Sequence, residues 1–413
     1  MHKLLLLLLL GTSLATTATA QTKPPPPKRT IMPWNMKELS NPPKAYPAPE
    51  YQEAGVHAVF YKGVPWKGKP TRVFAWYGIP EGLKPGEKVP AMVLVHGGGG
   101  TAFAEWVRLW TKRGYVAIAM DTCGVAPSKD PNARPRHAEG GPPGWGDFDN
   151  AVAPEADQWT YHAIAAIILG HSFLYTLPEV DTHRIGITGI SWGGYLTSIA
   201  ASVDHRYKLA VPVYGCGFLG ENSAWLSEFA RIGTEKAARW LELWDPSSYL
   251  ADSKTPFLWV NGTNDFAYPM DSWQKSYRRA KGRRLLSLQI RMPHGHGGAG
   301  ENPEEIHAFA DALLKNGKPI PRFIKQEIEG GTLHAKFDSK IPIQRVELCF
   351  TRDAGMWQQR HWDSTPAEFT PKGTVTATIP PDATVFYLNL IDADGRIWSS
   401  EHMKWVVNLT HSP

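Results

Sequence analysis

Residues 186–202 read GITGISWGGYLTSIAAS. The first half is an apolar run typical of a buried strand, the second half has helical spacing, and Ser191 lies at the junction. Glycine inside a regular element costs about 0.5–1 kcal/mol relative to alanine, so Gly189, Gly193 and Gly194 need a structural reason. A sharp strand-to-helix turn supplies one, because the residues two before and two after its serine pass too close together for side chains. The stretch therefore predicts an exposed, nucleophilic Ser191.

Apolar strands and helices alternate on both sides of this turn. Continuous apolar runs predict strands at 89–97, 115–121, 184–190, 209–215, 255–262 and 285–295. Buried strands that alternate with helices are typical of a mostly parallel sheet covered on both faces. After Pro321 the pattern changes to short strands of alternating polarity, which predict a small Ig-like β-sandwich.

The chain of 413 residues is predicted to have four parts. Residues 1–20 contain Lys3, a run of leucines and then small residues up to a cleavage site expected after Ala20. This is the pattern of a cleaved signal peptide, so we expect a secreted or periplasmic protein. Residues 21–54 are rich in proline and predict an extended arm. A catalytic α/β domain is expected at 55–320, and the sandwich at 328–413.

The composition excludes several classes of function. Apolar residues make up 42% of the chain and charged residues 20%, with a formal charge of +5 that is spread without basic runs. We therefore expect neither nucleic-acid binding nor membrane binding beyond export, and nothing indicates an oligomeric state. Three cysteines, Cys123, Cys216 and Cys349, are too few for a disulfide framework, and two of them follow strand-like runs typical of buried sites.

A serine hydroxyl becomes a strong nucleophile only when a histidine takes its proton and an acid orients that histidine. When a serine lies in such a strand-to-helix turn, the acid and then the histidine are expected later in the chain than the serine, each just after a strand. Asp265, in TPFLWVNGTND, is the predicted acid, with Asp271 as the alternative. The loop MPHGHGG offers His294 and His296, and we favour His296 because the flanking glycines let the chain bend it towards Ser191.

Two further features of the sequence complete the predicted chemistry. The backbone N–H of Trp192 comes with the turn as one donor to a developing oxyanion, and the loop VLVHGGGG supplies a second, Gly98 or else Gly99. The His-x-His pair at 294–296 also suggests a metal, but one turn supplies too few ligands and no third has recognisable spacing. We therefore predict neither a metal site nor a cofactor.

Together these residues resemble the α/β-hydrolase superfamily. GISWGGY is similar to the turn of prolyl-oligopeptidase-type catalytic domains, and GTND with PHGHG is similar to the acid and histidine loops there and in dienelactone-hydrolase-like and acetylxylan-esterase-like proteins. The resemblance covers residues 55–317 and implies a triad of Ser191, Asp265 and His296, with Trp192 and the HGGGG loop as oxyanion donors. Prolyl-oligopeptidase-type peptidases carry a long β-propeller before the hydrolase domain, where this sequence shows only a short segment. Acetylxylan esterases of the resembled type have Ser-Gln in the turn, whereas here Ser191 is followed by Trp192.

We expect the protein to hydrolyse a small acyl ester, with an acetyl group on a polysaccharide as the expected substrate class. Exposed indoles suit sugar rings, which makes the tryptophans near the expected mouth, Trp145, Trp159 and Trp225, candidates for substrate contact. The Gly/Pro-rich segment 140–159 is a candidate lid, with Asp147 and Asp149 on its rim.

Two other classes of function are compatible with the sequence. The first is a small-peptide or aminopeptidase-like hydrolase, which would need carboxylates such as Glu155 and Asp157 to hold a substrate amine. The second is a non-catalytic carbohydrate-binding protein in which the sandwich binds the ligand. Intact candidates for every triad position argue against the second class.

Overall fold

The computed structural model describes residues 32–128, 130 and 133–404, so the predicted signal peptide lies outside the described residues. A nine-stranded sheet forms the centre of the larger domain. Its strands are β1 (Ala45–Pro47), β2 (His57–Lys62), β3 (Arg72–Gly78), β4 (Val89–Val95), β5 (Val116–Met120), β6 (Val180–Ile190), β7 (Leu209–Val213), β8 (Phe257–Gly262) and β9 (Arg284–Gln289).

The order of strands across this sheet is β1-β2-β3-β5-β4-β6-β7-β8-β9. The first three strands form an antiparallel edge, and β3 pairs antiparallel with β5. From β5 to β9 every pairing is parallel, so the carboxyl ends of β4, β6, β7, β8 and β9 meet at one edge. Reactive side chains gather at such an edge in α/β folds.

Ten helices accompany the strands in the described part of the chain. They are α1 (Met36–Leu39), α2 (Ala104–Thr111), α3 (Trp159–Leu174), α4 (Trp192–Val203), α5 (Leu226–Ile232), α6 (Thr234–Trp244), α7 (Ser247–Leu250), α8 (Met270–Arg279), α9 (Gly298–Glu301) and α10 (Glu304–Leu314). Two clusters of buried side chains lie on opposite faces of the sheet. Successive residues of β4 show this alternation, since Val93 and Val95 enter one cluster and Met92 and Leu94 the other.

Helices α3 and α4 cover the first of these faces, and α2 and α10 cover the second. The predicted mostly parallel sheet with helices on both faces is therefore confirmed. Helix α3 is buried on nearly every side, which explains why its sequence is apolar all round rather than amphipathic.

The proline-rich arm is more structured than its composition indicates. Within it, α1 forms a short helix and β1 adds a strand to the sheet. Trp34 is buried, and its indole N–H donates to the backbone oxygen of Tyr161 at 2.9 Å. Burial of a large indole fixes this part of the arm, which corrects the expectation of a merely extended segment across its described residues.

An antiparallel sheet forms the smaller domain. Its strands are β10 (Arg322–Glu329), β11 (Thr332–Asp338), β12 (Ile343–Thr351), β13 (Asp363–Phe369), β14 (Thr374–Thr378), β15 (Val385–Asp392), β16 (Ile397–Ser399) and β17 (Met403–Lys404). Strand β13 pairs with β12 through its first residues and with β14 through its last, so it joins the two halves of the sheet. These halves share one core, as predicted for a sandwich, and the first strand begins at Arg322.

The two domains pack directly against each other. The backbone N–H of Leu288, in edge strand β9, donates to Ser399 Oγ at 2.8 Å. Its carbonyl accepts hydrogen bonds from Tyr387 and Asn389 of the smaller domain, each at 3.3 Å. These partners satisfy backbone groups that an open sheet edge would leave unpaired.

All three cysteines are buried and unpaired, as expected for small apolar core residues. Within the described residues, no helix combines the length and the apolar character that crossing a membrane would require.

Candidate active site

Ser191 lies at the junction of β6 and α4 in an uncommon backbone conformation, with φ of 57° and ψ of −118°. A non-glycine residue at positive φ is strained by about 1–3 kcal/mol, and such strain is concentrated at functional positions. The Ser191 N–H donates to the carbonyl of Val213 at 3.0 Å, while its own carbonyl accepts the first helical bond, from Tyr195, at 2.9 Å. The turn therefore has the predicted strand-to-helix geometry.

The glycines of this turn are explained by what a Cβ atom would meet. On Gly193 it would lie 2.0 Å from the carbonyl oxygen of Val95, in neighbouring strand β4. On Gly189 it would lie 2.3 Å from the carbonyl oxygen of Gly193 itself. Both distances are far below van der Waals contact, so only glycine fits at either position.

Asp265 follows β8 and is almost completely buried, with 3% of its surface exposed. One carboxylate oxygen accepts the backbone N–H groups of Ala267 and Tyr268, at 2.9 and 2.7 Å. The other oxygen lies 2.6 Å from Nδ1 of His294. Three hydrogen bonds hold the carboxylate in place, and the third orients an imidazole.

The order of preference between the two histidines is therefore corrected. His294, the alternative in the sequence prediction, carries the contact with Asp265, while His296 Nδ1 lies 3.1 Å from Glu301 Oε1. The two side chains have separate partners, since His294 stacks on Tyr214 and His296 packs on Phe103 and accepts the N–H of Gly97. Asp271, the alternative acid, accepts hydrogen bonds from Asn222 at 3.0 and 3.2 Å instead.

Tyr214, at the end of β7, holds the histidine loop. Its ring stacks on His294 with centroids 4.2 Å apart and planes inclined by 29°. Its hydroxyl donates to the carbonyl of Gly295, and burial raises the pKa of this phenol. Tyr214 was not predicted as a site residue from the sequence, although its position directly after a buried parallel strand was a usable signal.

The HGGGG loop begins at the end of β4 and lies beside Ser191. The N–H of Gly97 donates to His296 Nε2 at 3.1 Å. A Cβ on Gly98 would lie 2.8 Å from Cδ1 of Trp192, so the backbone of Gly98 lies directly against that indole. Gly99 has φ of 72°, which favours glycine. As the first residue of α4, Trp192 has a backbone N–H without an acceptor inside the helix.

His96, the first residue of this loop, is buried and neutral. Burial lowers its pKa from the ordinary 6.5 to about 3. Its Nε2 accepts the N–H of Thr122 at 3.0 Å, so its Nδ1 carries the proton and donates to the carbonyl of Gly97 at 2.9 Å. Gly97 is thus held by imidazoles on both its N–H and its carbonyl.

Known proteins share this architecture. Residues 144–316 match the prolyl oligopeptidase family. Among solved structures, an acetyl xylan esterase from Paenibacillus sp. R4 is 24% identical and superposes with a TM-score of 0.54, covering 68% of this chain and 92% of that one. Acetyl xylan esterase 1 from Thermoanaerobacterium sp. JW/SL YS485 is 16% identical, with a TM-score of 0.52 and coverages of 70% and 96%. The larger domain has the α/β-hydrolase fold.

One curated relative is similar in sequence. The uncharacterized peptidase YuxL of Bacillus subtilis (strain 168) is 25% identical over 240 residues, which are 54% of this chain and 33% of that protein. The similarity therefore spans a third of the relative's length.

In the α/β-hydrolase domain, an aromatic cluster surrounds the Trp192 side chain. The indole is 6% exposed and packs with Phe148, Trp159, Tyr195 and Trp225, at centroid distances of 4.5 to 6.2 Å. The space beyond the predicted oxyanion donors is consequently filled by rings rather than open.

The three tryptophans predicted to contact substrate differ in position. Trp159 is fully buried and its indole N–H donates to the carbonyl of Thr122 at 2.8 Å, so it is a core residue of the hydrolase domain and that prediction is corrected. Its buried environment was invisible in the sequence because α3 is apolar all round. Trp145 and Trp225 are partly buried, and Trp225 lies on Trp192 with centroids 4.5 Å apart.

The predicted lid of the hydrolase, residues 140–159, is attached to its surroundings. Trp240 donates its indole N–H to the carbonyl of Gly146 at 2.6 Å. Phe148 packs on Trp192 and Trp240. Asp149 forms a bidentate ion pair with Arg231, at 2.8 and 3.0 Å.

The remaining acidic residues of this segment already have partners. Asp147, whose pKa is raised by burial, accepts from Asn150. Glu155 pairs with Arg239 at 3.1 Å, and Asp157 accepts the N–H of Lys67 at 3.0 Å. Across the described residues, no group of three or more His, Cys, Asp or Glu side chains is arranged to hold a metal ion.

The smaller domain also reaches the site. Asn264, directly before Asp265, donates its amide to the carbonyls of Gln358 and Arg360 at 3.1 and 2.7 Å. On the other side of Asp265, Phe266 is 59% exposed and packs on the His294 ring with centroids 4.6 Å apart. The loop that carries Asp265 is therefore fixed by the smaller domain. It presents the exposed Phe266 ring beside His294, at the mouth of the site in the larger domain.

Proposed function

We propose that this protein is an exported serine hydrolase that cleaves small acyl esters, with acetylated carbohydrate as the substrate class. The observation that carries the proposal is the contact of the buried Asp265 carboxylate with His294, at 2.6 Å, at the same carboxyl edge of the sheet on which Ser191 occupies its strained turn. A carboxylate, an imidazole and an alcohol in this relation are the requirements for acyl transfer through serine.

The proposed reaction has two halves. His294 Nε2 takes the proton of Ser191 as its oxygen attacks the ester carbonyl carbon, and Asp265 stabilises the resulting imidazolium. The N–H groups of Trp192 and Gly98 stabilise the oxyanion, since the Gly97 N–H is engaged by His296. Collapse breaks the C–O bond, and the leaving alkoxide takes the proton from His294. Water then attacks the acyl-serine by the reverse proton route and releases the acid.

The filled space around Trp192 favours a small acyl group. Its indole lies against Gly98 and is itself enclosed by aromatic rings, so a long acyl chain would meet side chains beyond the oxyanion donors. The two structural neighbours described as acetyl xylan esterases support the fold for such a reaction, and the acetyl group is the smallest common acyl group consistent with this space.

Hydrolysis of short peptides is the second candidate, favoured by the match of residues 144–316 to the prolyl oligopeptidase family. An aminopeptidase would need a free carboxylate for the substrate amine, whereas Glu155 and Asp157, the candidates named for that role, are engaged by Arg239 and the Lys67 backbone. The described contacts therefore support the ester over the peptide.

A side-by-side assay tests the proposal. The protein lacking residues 1–20 is incubated with acetylated xylan, 4-nitrophenyl acetate and aminoacyl-4-nitroanilides, and Ser191→Ala serves as the control. We expect acetate release and nitrophenol release that both disappear in the variant. Turnover confined to the nitroanilides would favour the peptidase instead, and equal rates for Ser191→Ala would contradict a serine mechanism.

A further inference from the structure

The site contains a second imidazole–carboxylate pair that the proposed reaction does not use. His296 Nδ1 lies 3.1 Å from Glu301 Oε1, and its ring packs on Phe103 with centroids 4.6 Å apart. Its side chain is 26% exposed, whereas that of His294 is 14% exposed. A paired histidine next to a nucleophile without a part in the chemistry requires an explanation.

The hydrogen bonds of His296 fix its tautomer. Nε2 accepts the backbone N–H of Gly97 at 3.1 Å, so in this arrangement it cannot carry a proton. A neutral imidazole has one donor and one acceptor nitrogen, so Nδ1 holds the proton and donates to Glu301. Glu301 thereby keeps Nε2 available as an acceptor.

Gly97 lies between His296 and the nucleophile. A Cβ on Gly97 would be 3.3 Å from His296 Nε2 and 3.1 Å from Ser191 Cβ. The carbonyl of the same residue accepts from His96 Nδ1 at 2.9 Å and from the N–H of Gly100 at 3.1 Å. Glycine has no side chain to limit its torsions, so these contacts from both sides define its conformation.

The conformation of Gly97 sets the direction of the next N–H. Because a peptide unit is planar and trans, the N–H of Gly98 points opposite to the carbonyl of Gly97. A contact that fixes Gly97 therefore also fixes the direction of the Gly98 N–H, the proposed oxyanion donor. Such donors act only when they are already aligned, since a loop that must reorganise loses the benefit.

We propose that His296, whose Nδ1–H donates to Glu301, is a positioning residue that aligns the oxyanion loop through Gly97; this inference rests on the proposed function of the site. Among the titratable groups, Glu301 from α9 contacts His296 at 3.1 Å, and His96 at the end of β4 lies close enough to interact with it electrostatically.

Two substitutions of His296 separate positioning from a structural role. In His296→Gln the amide oxygen can take the place of Nε2 and accept the Gly97 N–H, without titrating. In His296→Asn the amide can replace only Nδ1, so it keeps the contact with Glu301 but does not reach Gly97. Both variants remove the imidazole, which makes them matched controls for each other.

Two readouts are measured for the wild type and both variants. The first is kcat and KM for 4-nitrophenyl acetate between pH 5 and 9. The second is the rate at which a fluorophosphonate labels Ser191: the serine oxygen displaces fluoride from phosphorus, and its proton passes to His294. This labelling needs the oxyanion hole but no particular acyl substrate.

For His296→Asn we expect a fall of about 10²-fold in kcat and in labelling rate, with KM within about threefold of wild type. His296→Gln should recover to within about tenfold of the wild type, because its amide oxygen can still accept the Gly97 N–H. Equal rates for wild type and His296→Asn, or equal losses in both variants, would overturn the inference. If the wild type is labelled but hydrolyses no ester, the proposed esterase activity is rejected. The labelling rates of the wild type and the two variants then decide this inference.

Discussion

Nδ1 of His294 lies 2.6 Å from Oδ2 of Asp265, whose other oxygen is held by two backbone N–H groups. The pair joins the loop after β9 to the loop after β8 at the carboxyl edge of the sheet. Because the second oxygen of Asp265 is already occupied, the carboxylate has one direction in which to orient an imidazole. His294 is the residue in that direction.

Asp265 and Asp271 provide a matched pair of substitutions. Asp265→Asn should lower kcat for 4-nitrophenyl acetate by about 10⁴-fold, because an amide neither stabilises the imidazolium nor selects its tautomer. Asp271→Asn should stay within about twofold of wild type, since Asp271 contacts Asn222 rather than a histidine. Steady-state rates with both variants check this, and a comparable loss in Asp271→Asn would show that the acid is misassigned.

Replacing the Trp192 indole should change the preferred acyl length. Trp192→Leu keeps the backbone N–H but opens space beyond it, so the ratio of kcat/KM for 4-nitrophenyl butyrate over acetate should rise about tenfold. Phe266→Leu alters an exposed ring beside His294, at the mouth of the site, and should leave that ratio unchanged. An unchanged ratio in Trp192→Leu would mean that the acyl group lies elsewhere.

The elements that the sequence predicted correctly are those with a strong local pattern. The strands of the parallel sheet, the glycine-flanked turn at Ser191 and the position of Asp265 after β8 all follow from apolar runs and turn residues. Steric demands at Gly189 and Gly193 act within a few residues or between neighbouring strands, so the local sequence carries them.

The histidine pairing depended on contacts that no local pattern contains. His294 and His296 are separated by one glycine, and their directions are set by Tyr214, Glu301 and Gly97, which come from three other elements. The contact of Asn264 with the smaller domain joins residues almost a hundred positions apart. Periodicity likewise cannot separate a tryptophan that faces substrate from one that is buried, as Trp159 shows.

Buried histidines should make the protein sensitive to acid. Burial lowers the pKa of His402 to about 3, helped by Arg278, Lys404 and Arg360, whereas the unfolded chain titrates near 6.5. Between these values the unfolded state binds one more proton, so the free energy of unfolding falls by about 1.4 kcal/mol for each pH unit lowered. Above pH 6.5 His402 is neutral in both the folded and the unfolded state, so this loss of stability is absent.

His402→Phe tests this assignment. Both ring nitrogens of His402 are buried without a hydrogen-bond partner in the described structure, so a phenyl ring loses no such bond. The free energy of unfolding is measured with urea at pH 6.5, 5.5 and 4.5. Its dependence on pH should be weaker in the variant, by the equivalent of about one proton. His96, with a pKa also lowered to about 3, shifts in the same direction and should keep part of the acid sensitivity. Identical slopes in variant and wild type would show that His402 does not titrate on unfolding.

The measurement that tests the account most directly compares kcat/KM for 4-nitrophenyl acetate in His294→Ala and His296→Gln, with folding verified by thermal unfolding. If His294 is the base that activates Ser191, His294→Ala should lose about 10⁴-fold or more while His296→Gln stays within about tenfold of wild type. A His294→Ala enzyme that retains wild-type turnover, together with an inactive His296→Gln, would contradict the account.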